Sequence, residues 1–304
     1  MVRDRTSSGS EPATVREGAP RTAGDGHLLR PGTELVDRYR VLAVLGRGGW
    51  GVVYRAHDLE LELDIALKLL HPEAAADPVQ AQMFRNEVRI ARRVTHPNVC
   101  RLHDLVASPD GCFITMEYVA GEPLSARLAR GRLAPGEAHR VLRDVTAGLA
   151  AAHTAGVIHR DLKPANVLVA DDRALIADFG VAYDRRAIDR MLDLDPPRAL
   201  GTRGYMAPEQ ATGAPIDARV DVYALGLLGV ILLTGQRPPT AATGTISDAE
   251  ARAPASLDPA VLLDAAPAGS APAVVALIRD CLAIAPADRP RDAGEVLERL
   301  AHAA

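Results

Sequence analysis

Two kinds of hydrophobic pattern divide this chain. Between residues 39 and 118, short runs rich in β-branched and aromatic residues, such as YRVLAVLG, WGVVYRAHD and DIALKLL, are typical of strands. The runs VCRLHDLVA and CFITMEYV flank the turn sequence SPDG and predict a hairpin. One stretch, PVQAQMFRNEVRIARRV, has the period of an amphipathic helix instead. These elements predict a small sheet accompanied by one helix.

From residue 124 onward, helical patterns dominate. PGEAHRVLRDVTAGLAAAHTAG opens with proline and ends with glycine, the usual start and stop signals of a helix. DARVDVYALGLLGVILLTG, SAPAVVALIRDCLAI and DAGEVLERLAHAA predict further helices, the first of them strongly apolar. Short β-runs alternate with polar loops between residues 157 and 182. We therefore expect an α+β fold of two lobes, a small β-rich one and a larger mainly helical one, with a cleft between them.

The first thirty residues have a different composition, rich in Ser, Thr, Gly, Pro, Arg and Glu. They cannot bury enough apolar surface to offset chain entropy, which predicts a disordered tail over residues 1–37. The folded domain is expected over 38–304, with an N-lobe over 38–119 and a C-lobe over 120–304.

Charge and composition exclude several classes of partner. The formal net charge is only −4 with 24% charged residues, so nothing favours binding to nucleic acid or an anionic membrane. The longest apolar stretch, Val222–Leu233, is shorter than the roughly 20 residues of a membrane span. Three scattered cysteines suggest a reducing compartment. A cytoplasmic protein without membrane insertion is expected, and a homodimer stays open.

A glycine-rich segment and a lysine within an apolar run are the first candidates for chemistry. GRGGWGVV places Gly46, Gly48 and Gly51 where the backbone could approach phosphates closely. A dinucleotide-binding turn has a similar pattern but opens a helix, whereas strand-like runs flank this segment, which favours a phosphate-covering hairpin. Lys68, within the apolar run IALKLL, needs an anion, either phosphate or a carboxylate such as Glu87 in the next predicted helix.

The segment HRDLKPANVLV, followed by DFG, carries the strongest signal. Asp161 could orient an attacking hydroxyl and accept its proton, while the amide oxygen of Asn166 could ligate Mg²⁺. Asp178, in DFG, adds a second hard oxygen donor suited to Mg²⁺. The combination of block and spacing makes a chance match negligible.

These segments together resemble the eukaryotic-like (Hanks-type) protein kinases, especially their bacterial serine/threonine members. The resemblance covers roughly Tyr39 to Leu300, and its motifs appear in order: GRGGWGVV, IALK, HPNV, HRDLKPAN, DFG, GTRGYMAPE, DVYALG and DRP. It implies the bilobal protein-kinase fold, ATP and Mg²⁺ or Mn²⁺ as cofactors, and protein substrates with Ser or Thr acceptors. The lysine two positions after Asp161, together with Thr202, matches the Ser/Thr pattern rather than the Tyr pattern.

By this resemblance, each matching position has a role. Lys68 would contact the α- and β-phosphates and pair with Glu87, Asp161 would be the catalytic base, and Lys163 would steady the γ-phosphate. The metal ligands would be Asn166 and Asp178. The nucleotide-binding positions would be Leu45, Gly46, Gly48, Gly51, Val53, Ala66, Lys68, Glu117, Val119 and Leu168, with Met116 as gatekeeper.

Other matching positions imply scaffold rather than chemistry. Glu209 and Arg289 resemble the buried ion pair that fixes the peptide-binding segment. Asp221 resembles the aspartate that anchors the catalytic loop. His159 and Phe179 resemble members of the hydrophobic spine that links the lobes.

The activation loop departs from the family pattern. Residues 181–200 contain no Ser or Thr, although Arg160 precedes Asp161, an arrangement that usually receives a loop phosphate. One hypothesis is that Asp193 or Asp195 faces Arg160 and replaces that phosphate in part. The alternative is a solvated loop.

The N-terminal tail is expected to be dispensable for catalysis. Its hydroxyls are candidate autophosphorylation sites, with an inert spacer as the alternative: Thr6, Ser7, Ser8, Ser10, Thr14 and Thr22.

Two other functions compete with an active protein kinase. A pseudokinase scaffold, which would bind nucleotide and partner proteins, usually lacks one of the residues that match Lys68, Asp161 and Asp178, all present here. A small-molecule kinase of the aminoglycoside phosphotransferase type lacks the APE segment and its arginine partner, which this chain retains. Phosphate transfer to a generic peptide would discriminate among these functions.

Overall fold

Two lobes with different secondary structure make up the part of the chain that the computed structural model describes, namely residues 28–48, 51–70, 85, 88–108, 111–178, 203–212, 214–236, 259–267 and 270–303. An antiparallel sheet comes first and most of the helices follow. The predicted division into a β-rich lobe and a mainly helical lobe is confirmed.

A six-stranded antiparallel sheet forms the first lobe. Its strands are β1 Glu34–Leu35, β2 Tyr39–Gly48, β3 Gly51–Asp58, β4 Leu63–Leu70, β5 Leu102–Ser108 and β6 Gly111–Glu117. Their order in the sheet is β1-β2-β3-β4-β6-β5. The predicted hairpin is confirmed as the β5–β6 pair, and strands lie on both sides of the glycine-rich segment as expected. The helical stretch predicted next contributes Arg85 and residues 88–91 as helix.

The two faces of this sheet have separate roles because side chains alternate along each strand. On β3 and β4, Tyr54 and Leu67 are buried on the outer face in a small hydrophobic cluster. Their neighbours Val53 and Lys68, paired across the two strands, lie on the face toward the second lobe. The outer cluster consists of Leu35, Tyr39, Val41, Tyr54, Ala56, Ile65, Leu67 and Phe113.

The folded part of the chain begins earlier than Arg38, the expected boundary. Strand β1 pairs with β2 through Glu34 opposite Arg40, and Leu35 is buried in the outer cluster. The backbone N–H of Leu29 also donates a hydrogen bond to the Tyr54 hydroxyl, at 3.1 Å. Two residues are too short a run for a periodic signal, so composition alone placed the boundary too late. Residues 1–27 of the expected tail lie outside the described residues.

This outer cluster leads to a stability prediction. Leu35 is only 1% exposed, so Leu35→Ala should lower the free energy of unfolding by about 2–5 kcal/mol, through lost burial and a residual cavity. Nucleotide affinity should change little because Leu35 lies on the face away from the cleft. Denaturant titration measures the first quantity. Leu61→Ala, at a residue that is 61% exposed, is the control, and equal losses for both variants would contradict the placement of β1.

The second lobe is built around one apolar helix. Helix α4, Arg219–Thr234, is buried along nearly its whole length, as its uniformly apolar sequence predicts. Gly226 and Gly229 let it approach helix α5, Pro272–Cys281, closely, since a Cβ at Gly229 would lie 2.8 Å from Ile278. The helices are α1 Leu124–Ala129, α2 Pro135–Thr154, α3 Pro208–Thr212, α4 Arg219–Thr234, α5 Pro272–Cys281 and α6 Ala293–Ala303. None of the helices within the described ranges is long and apolar enough to cross a membrane.

A small second sheet lies between α2 and the first lobe. It comprises β7 Glu122–Pro123, β8 Val167–Ala170 and β9 Arg173–Ile176. Asn98 links it to the segment before β5: the Asn98 side-chain amide donates to the carbonyl of Ala174, at 2.8 Å, and the Ile176 N–H donates to the Asn98 carbonyl, at 2.9 Å. Because Asp178 follows β9 by two residues, this sheet positions it at the junction of the lobes.

Candidate active site

A cavity of about 170 Å³ lies between the two lobes, where the sequence places the adenine. Both lobes and their connection contribute to its walls. The predicted nucleotide-binding residues that line it are Leu45, Gly46, Val53, Ala66, Glu117, Val119 and Leu168, together with the gatekeeper Met116 and the predicted metal ligands Asn166 and Asp178. A larger concavity, about 420 Å³, lies beside α5 and contains none of these residues.

Some of the cavity walls were not expected from the sequence: Cys100, Tyr118, Pro123, Ala165 and Ala177. The Cys100 thiol donates to the backbone carbonyl of Glu117, at 3.3 Å. Burial raises the pKa of this thiol to about 12, so it stays protonated and acts as a weak donor. The apolar run VCRLHDLVA, which contains Cys100, could not by itself show which of its side chains would face the cavity.

The glycine-rich hairpin requires glycine at one described position in particular. Gly48 pairs with Gly51 at the end of β2 and β3. A Cβ at Gly51 would lie 1.9 Å from the carbonyl oxygen of Leu69, and its φ of 148° disfavours any side chain. The hairpin can therefore lie close over the neighbouring strand.

Asp161 lies in the catalytic loop, residues 159–166, beside the cavity wall residue Asn166. Its side chain is 28% exposed, and the Lys163 ammonium approaches it at 2.7 Å. The Asn166 side-chain amide donates both to this carboxylate, at 3.0 Å, and to the backbone carbonyl of Asp161, at 2.8 Å. The predicted catalytic base, its lysine neighbour and one predicted metal ligand are thus directly bonded to one another.

Lys68 pairs with the other predicted metal ligand, Asp178. It is buried on β4, and its ammonium lies 2.9 Å from the Asp178 carboxylate. Glu87, its predicted partner, lies outside the described residues, as do Phe179, Thr202, Asp193 and Asp195. The expectations for those residues stay predictions.

Two residues at or next to the predicted catalytic and metal-binding positions have positive φ angles. Arg160 has φ of 66° and Asp178 has φ of 60°. Such conformations cost free energy for residues with a Cβ and persist where the surroundings hold them. At Arg160 the holding contact is visible: its N–H donates to Asp221, at 2.7 Å.

Asp221 holds the catalytic loop from the first turn of α4, as expected. Its carboxylate accepts the N–H of His159, at 2.6 Å, as well as that of Arg160. His153, which the sequence interpretation passed over, lies 2.9 Å from the same carboxylate through Nε2. The N–H of Ala293 donates to Nδ1 of His153, at 3.1 Å, so Nε2 carries the hydrogen that Asp221 accepts. One imidazole therefore joins α2, α4 and α6.

His159 is fully buried and links the catalytic loop to the residue before Asp178. Its Nδ1 accepts the N–H of Asp161, at 3.2 Å, which leaves Nε2–H to donate to the Ala177 carbonyl, at 3.1 Å. His159 was expected to belong to a hydrophobic spine. Its ring also makes two hydrogen bonds, so it supports the catalytic loop through polar contacts as well.

The Glu209–Arg289 ion pair is present and deeply buried. The two guanidinium nitrogens Nη1 and Nη2 contact the two carboxylate oxygens at 2.6 and 2.9 Å. The remaining N–H groups donate to the carbonyls of Ala283, Arg219 and Ile284. Since an arginine has five N–H donors, all of them are used here. Gln210, which was not singled out from the sequence, extends this anchor to the carbonyl of Arg160, at 3.2 Å.

A two-lobed chain with a cavity between its lobes, a buried lysine and this catalytic loop has the architecture of a protein kinase. The family model described as the protein kinase domain matches residues 39–300, and the chain belongs to that family. The predicted bilobal kinase fold is confirmed by the kinase domain of Mycobacterium tuberculosis PknI, which superposes with a TM-score of 0.69 at 28% identity. The superposition covers 91% of this chain and 100% of that one.

Similar curated proteins are bacterial serine/threonine-protein kinases, which confirms the resemblance seen in the motifs. Pkn2 of Myxococcus xanthus is 38% identical over 223 residues, covering 69% of this chain and 26% of the relative. PknA of Mycobacterium tuberculosis is 37% identical over 216 residues, covering 69% of this chain and 49% of the relative. The chain thus spans between 26% and 49% of the length of these two relatives.

Proposed function

We propose that this chain transfers the γ-phosphate of ATP to Ser and Thr hydroxyls of protein substrates and also phosphorylates itself, in the cytoplasm. The contact that carries the proposal is the bonded group of Asp161, Lys163 and Asn166 beside the cavity. The Asp161 carboxylate would orient the acceptor hydroxyl and take its proton, while Lys163 would balance charge on the transferred group. Lys68 would hold phosphates from the opposite lobe.

The residues present fit the divalent metal that protein kinases use. The Asn166 amide hydrogens are donated to Asp161, which leaves its side-chain oxygen as the atom able to accept a cation. Asp178 supplies a carboxylate, and such hard oxygen donors suit Mg²⁺ or Mn²⁺. The metal would neutralise phosphate charge during transfer.

Transfer to a generic peptide tests the proposal. The purified protein is incubated with γ-labelled ATP and peptides that carry Ser, Thr or Tyr acceptors, and labelled residues are mapped by mass spectrometry. We expect label on Ser and Thr. A wild-type protein that binds ATP and labels neither peptide nor itself would instead be a scaffold, although Lys68, Asp161 and Asp178 all remain in the chain.

Removal of divalent metal should abolish transfer. We expect excess EDTA to stop labelling and added Mg²⁺ or Mn²⁺ to restore it, because Asn166 and Asp178 carry no positive charge and the triphosphate needs a divalent cation to neutralise it. Ca²⁺ should support nucleotide binding better than turnover, since its looser coordination positions phosphate poorly. Undiminished transfer in EDTA would overturn the assignment of these ligands.

Lys68 and Glu87 should act as one unit. Lys68→Met should lose most of the transfer rate, and the double variant with Glu87→Gln should be little worse than either single variant, because each residue acts through the same phosphate contact. Single-turnover rates for the three variants provide the measurement. Independent, multiplying losses would show that Glu87 does not position Lys68 and that Asp178, its observed partner, suffices.

A further inference from the structure

A polar cluster borders the adenine cavity on the side of the lobe connection. Arg55 lies on β3 and Asp64 on β4, and the guanidinium Nε donates to the Asp64 carboxylate, at 2.8 Å. His57 Nδ1 lies 2.9 Å from the other oxygen of Asp64. The guanidinium carbon also lies over the Tyr118 ring, 4.7 Å from its centroid. These four residues join the sheet to the connection between the lobes.

The register of the sheet explains why these side chains meet. Arg55 is opposite Ala66, and Ala66 is opposite Met116, so the three residues form a row across β3, β4 and β6. Ile65 pairs with Glu117, and Asp64 therefore lies beside the point where Tyr118 leaves the sheet. Arg55 is two residues beyond Val53, a wall of the cavity, and shares its face of the strand.

Electrostatics hold the guanidinium in this position. The hydrogen bonds from His57 and Arg55 keep the pKa of Asp64 below its usual range, so the carboxylate stays charged. The planar guanidinium can use one edge for this carboxylate and its face for the tyrosine ring, which an ammonium group cannot do equally well.

Tyr118 connects the two residues whose backbone is expected to receive the adenine edge, Glu117 and Val119. A ring that is fixed from the sheet side restricts the peptide units on both of its sides, which reduces the ordering cost when the nucleotide binds. We propose that Arg55, stacked on Tyr118 and bonded to Asp64, is a positioning residue for the adenine of ATP. This inference rests on the proposed kinase function for the identity of the nucleotide.

Arg55→Ala tests this role through nucleotide binding. We expect the Kd and KM for ATP to rise about three- to tenfold, with kcat and the peptide KM within about twofold of wild type. A merely structural role would lower the amount of active protein, and hence the apparent kcat, without changing the KM for ATP. The matched control is Arg40→Ala, since Arg40 is on the same sheet, is similarly exposed (48% against 42%) and also pairs with a carboxylate, Glu34.

Conservative variants separate the stacking contact from the ion pair. Arg55→Lys keeps the charge beside Asp64 but lacks the planar face, so its Kd for ATP should lie between those of wild type and Arg55→Ala. Tyr118→Leu, which removes the ring that Arg55 covers, should bind ATP more weakly than wild type. In the Tyr118→Leu background, Arg55→Ala should raise the Kd for ATP by less than a further factor of about two, because the stacking contact is already lost.

Two results would overturn the role of Arg55. One is a Kd for ATP in Arg55→Ala equal to that in Arg40→Ala, and the other is a full multiplication of the Arg55 and Tyr118 effects. If Arg55→Ala melts below the assay temperature, the Kd for ATP of Arg55→Lys is compared with that of Arg40→Ala instead. Binding is measured with a fluorescent ATP analogue and needs no phosphate transfer. A wild-type protein that binds nucleotide without transferring phosphate would refute the proposed function alone, while the Kd values still decide the role of Arg55.

Discussion

Asp161→Asn should reduce the rate of phosphate transfer by about 10²–10⁴-fold, the range for loss of a general base, while leaving the protein folded. Asparagine has the same shape but cannot take a proton from the acceptor hydroxyl. Lys163 and Asn166 would also face a neutral group where they now meet a carboxylate. Steady-state kinetics with a peptide substrate provide kcat, and binding of a fluorescent ATP analogue provides the affinity.

The fold should not depend on this carboxylate. The Asp161 side chain is 28% exposed and is not part of the hydrophobic core, so the melting temperature should stay within about 2 °C of wild type. Asp172→Asn, at an exposed residue of the β8–β9 turn, is the matched control and should retain full activity. Retention of wild-type kcat in Asp161→Asn would remove the general base from the proposed mechanism. A collapse of the melting temperature would assign Asp161 a structural role instead.

Arg289→Met should produce the largest loss of stability, about 3–5 kcal/mol in the free energy of unfolding, because it leaves the buried Glu209 without a counter-charge. The Arg289 side chain is fully buried, and its removal also deprives three backbone carbonyls of their donor. The Tyr223 ring, 4.8 Å from the guanidinium carbon, loses a cationic neighbour as well. Thermal melting should register a fall of roughly 10 °C.

A second substitution identifies the cause of this loss. Glu209→Leu combined with Arg289→Met should recover part of the stability, since no unpaired charge then remains buried. Recovery stays partial because the carbonyls of Ala283, Arg219 and Ile284 still lack their donor. Arg291→Met, at an exposed arginine nearby, should melt as wild type. If Arg289→Met had the same melting temperature as Arg291→Met, the ion pair would contribute nothing to the stability of the fold.

Local patterns were sufficient for most elements of secondary structure. The strand runs around Gly46 and Lys68 became β2, β3 and β4, and the stretch between Pro135 and Gly156 became α2 with the expected ends. Each of these elements carries its own periodicity and its own stop signal, so no distant contact is needed to recognise it. Strand β1 was missed because two residues cannot display a period, and its burial depends on β2.

The candidate chemistry was predictable for the same reason. Asp161, Lys163 and Asn166 lie within one short segment, so their spacing alone indicates that they meet, and the resemblance to kinases named their roles. Spacing alone could not show that Asp178 and Lys68 belong to one site, since they come from different lobes. Only the resemblance to the kinase family placed both of them there. The structure shows that they meet directly, at 2.9 Å.

The contacts that support this site have no local signature. His153 reaches Asp221 across 68 positions and Ala293 across 140, and Gln210 reaches Arg160 across 50. The same holds for Arg55 and Tyr118, which meet only because β3, β4 and β6 pair in one register. The amino-acid sequence alone indicated the candidate reacting groups and the local elements, since both are encoded by short spacings. The partners that hold those groups in place emerged only when distant segments packed together, because a side chain's neighbours across a fold depend on every element between them.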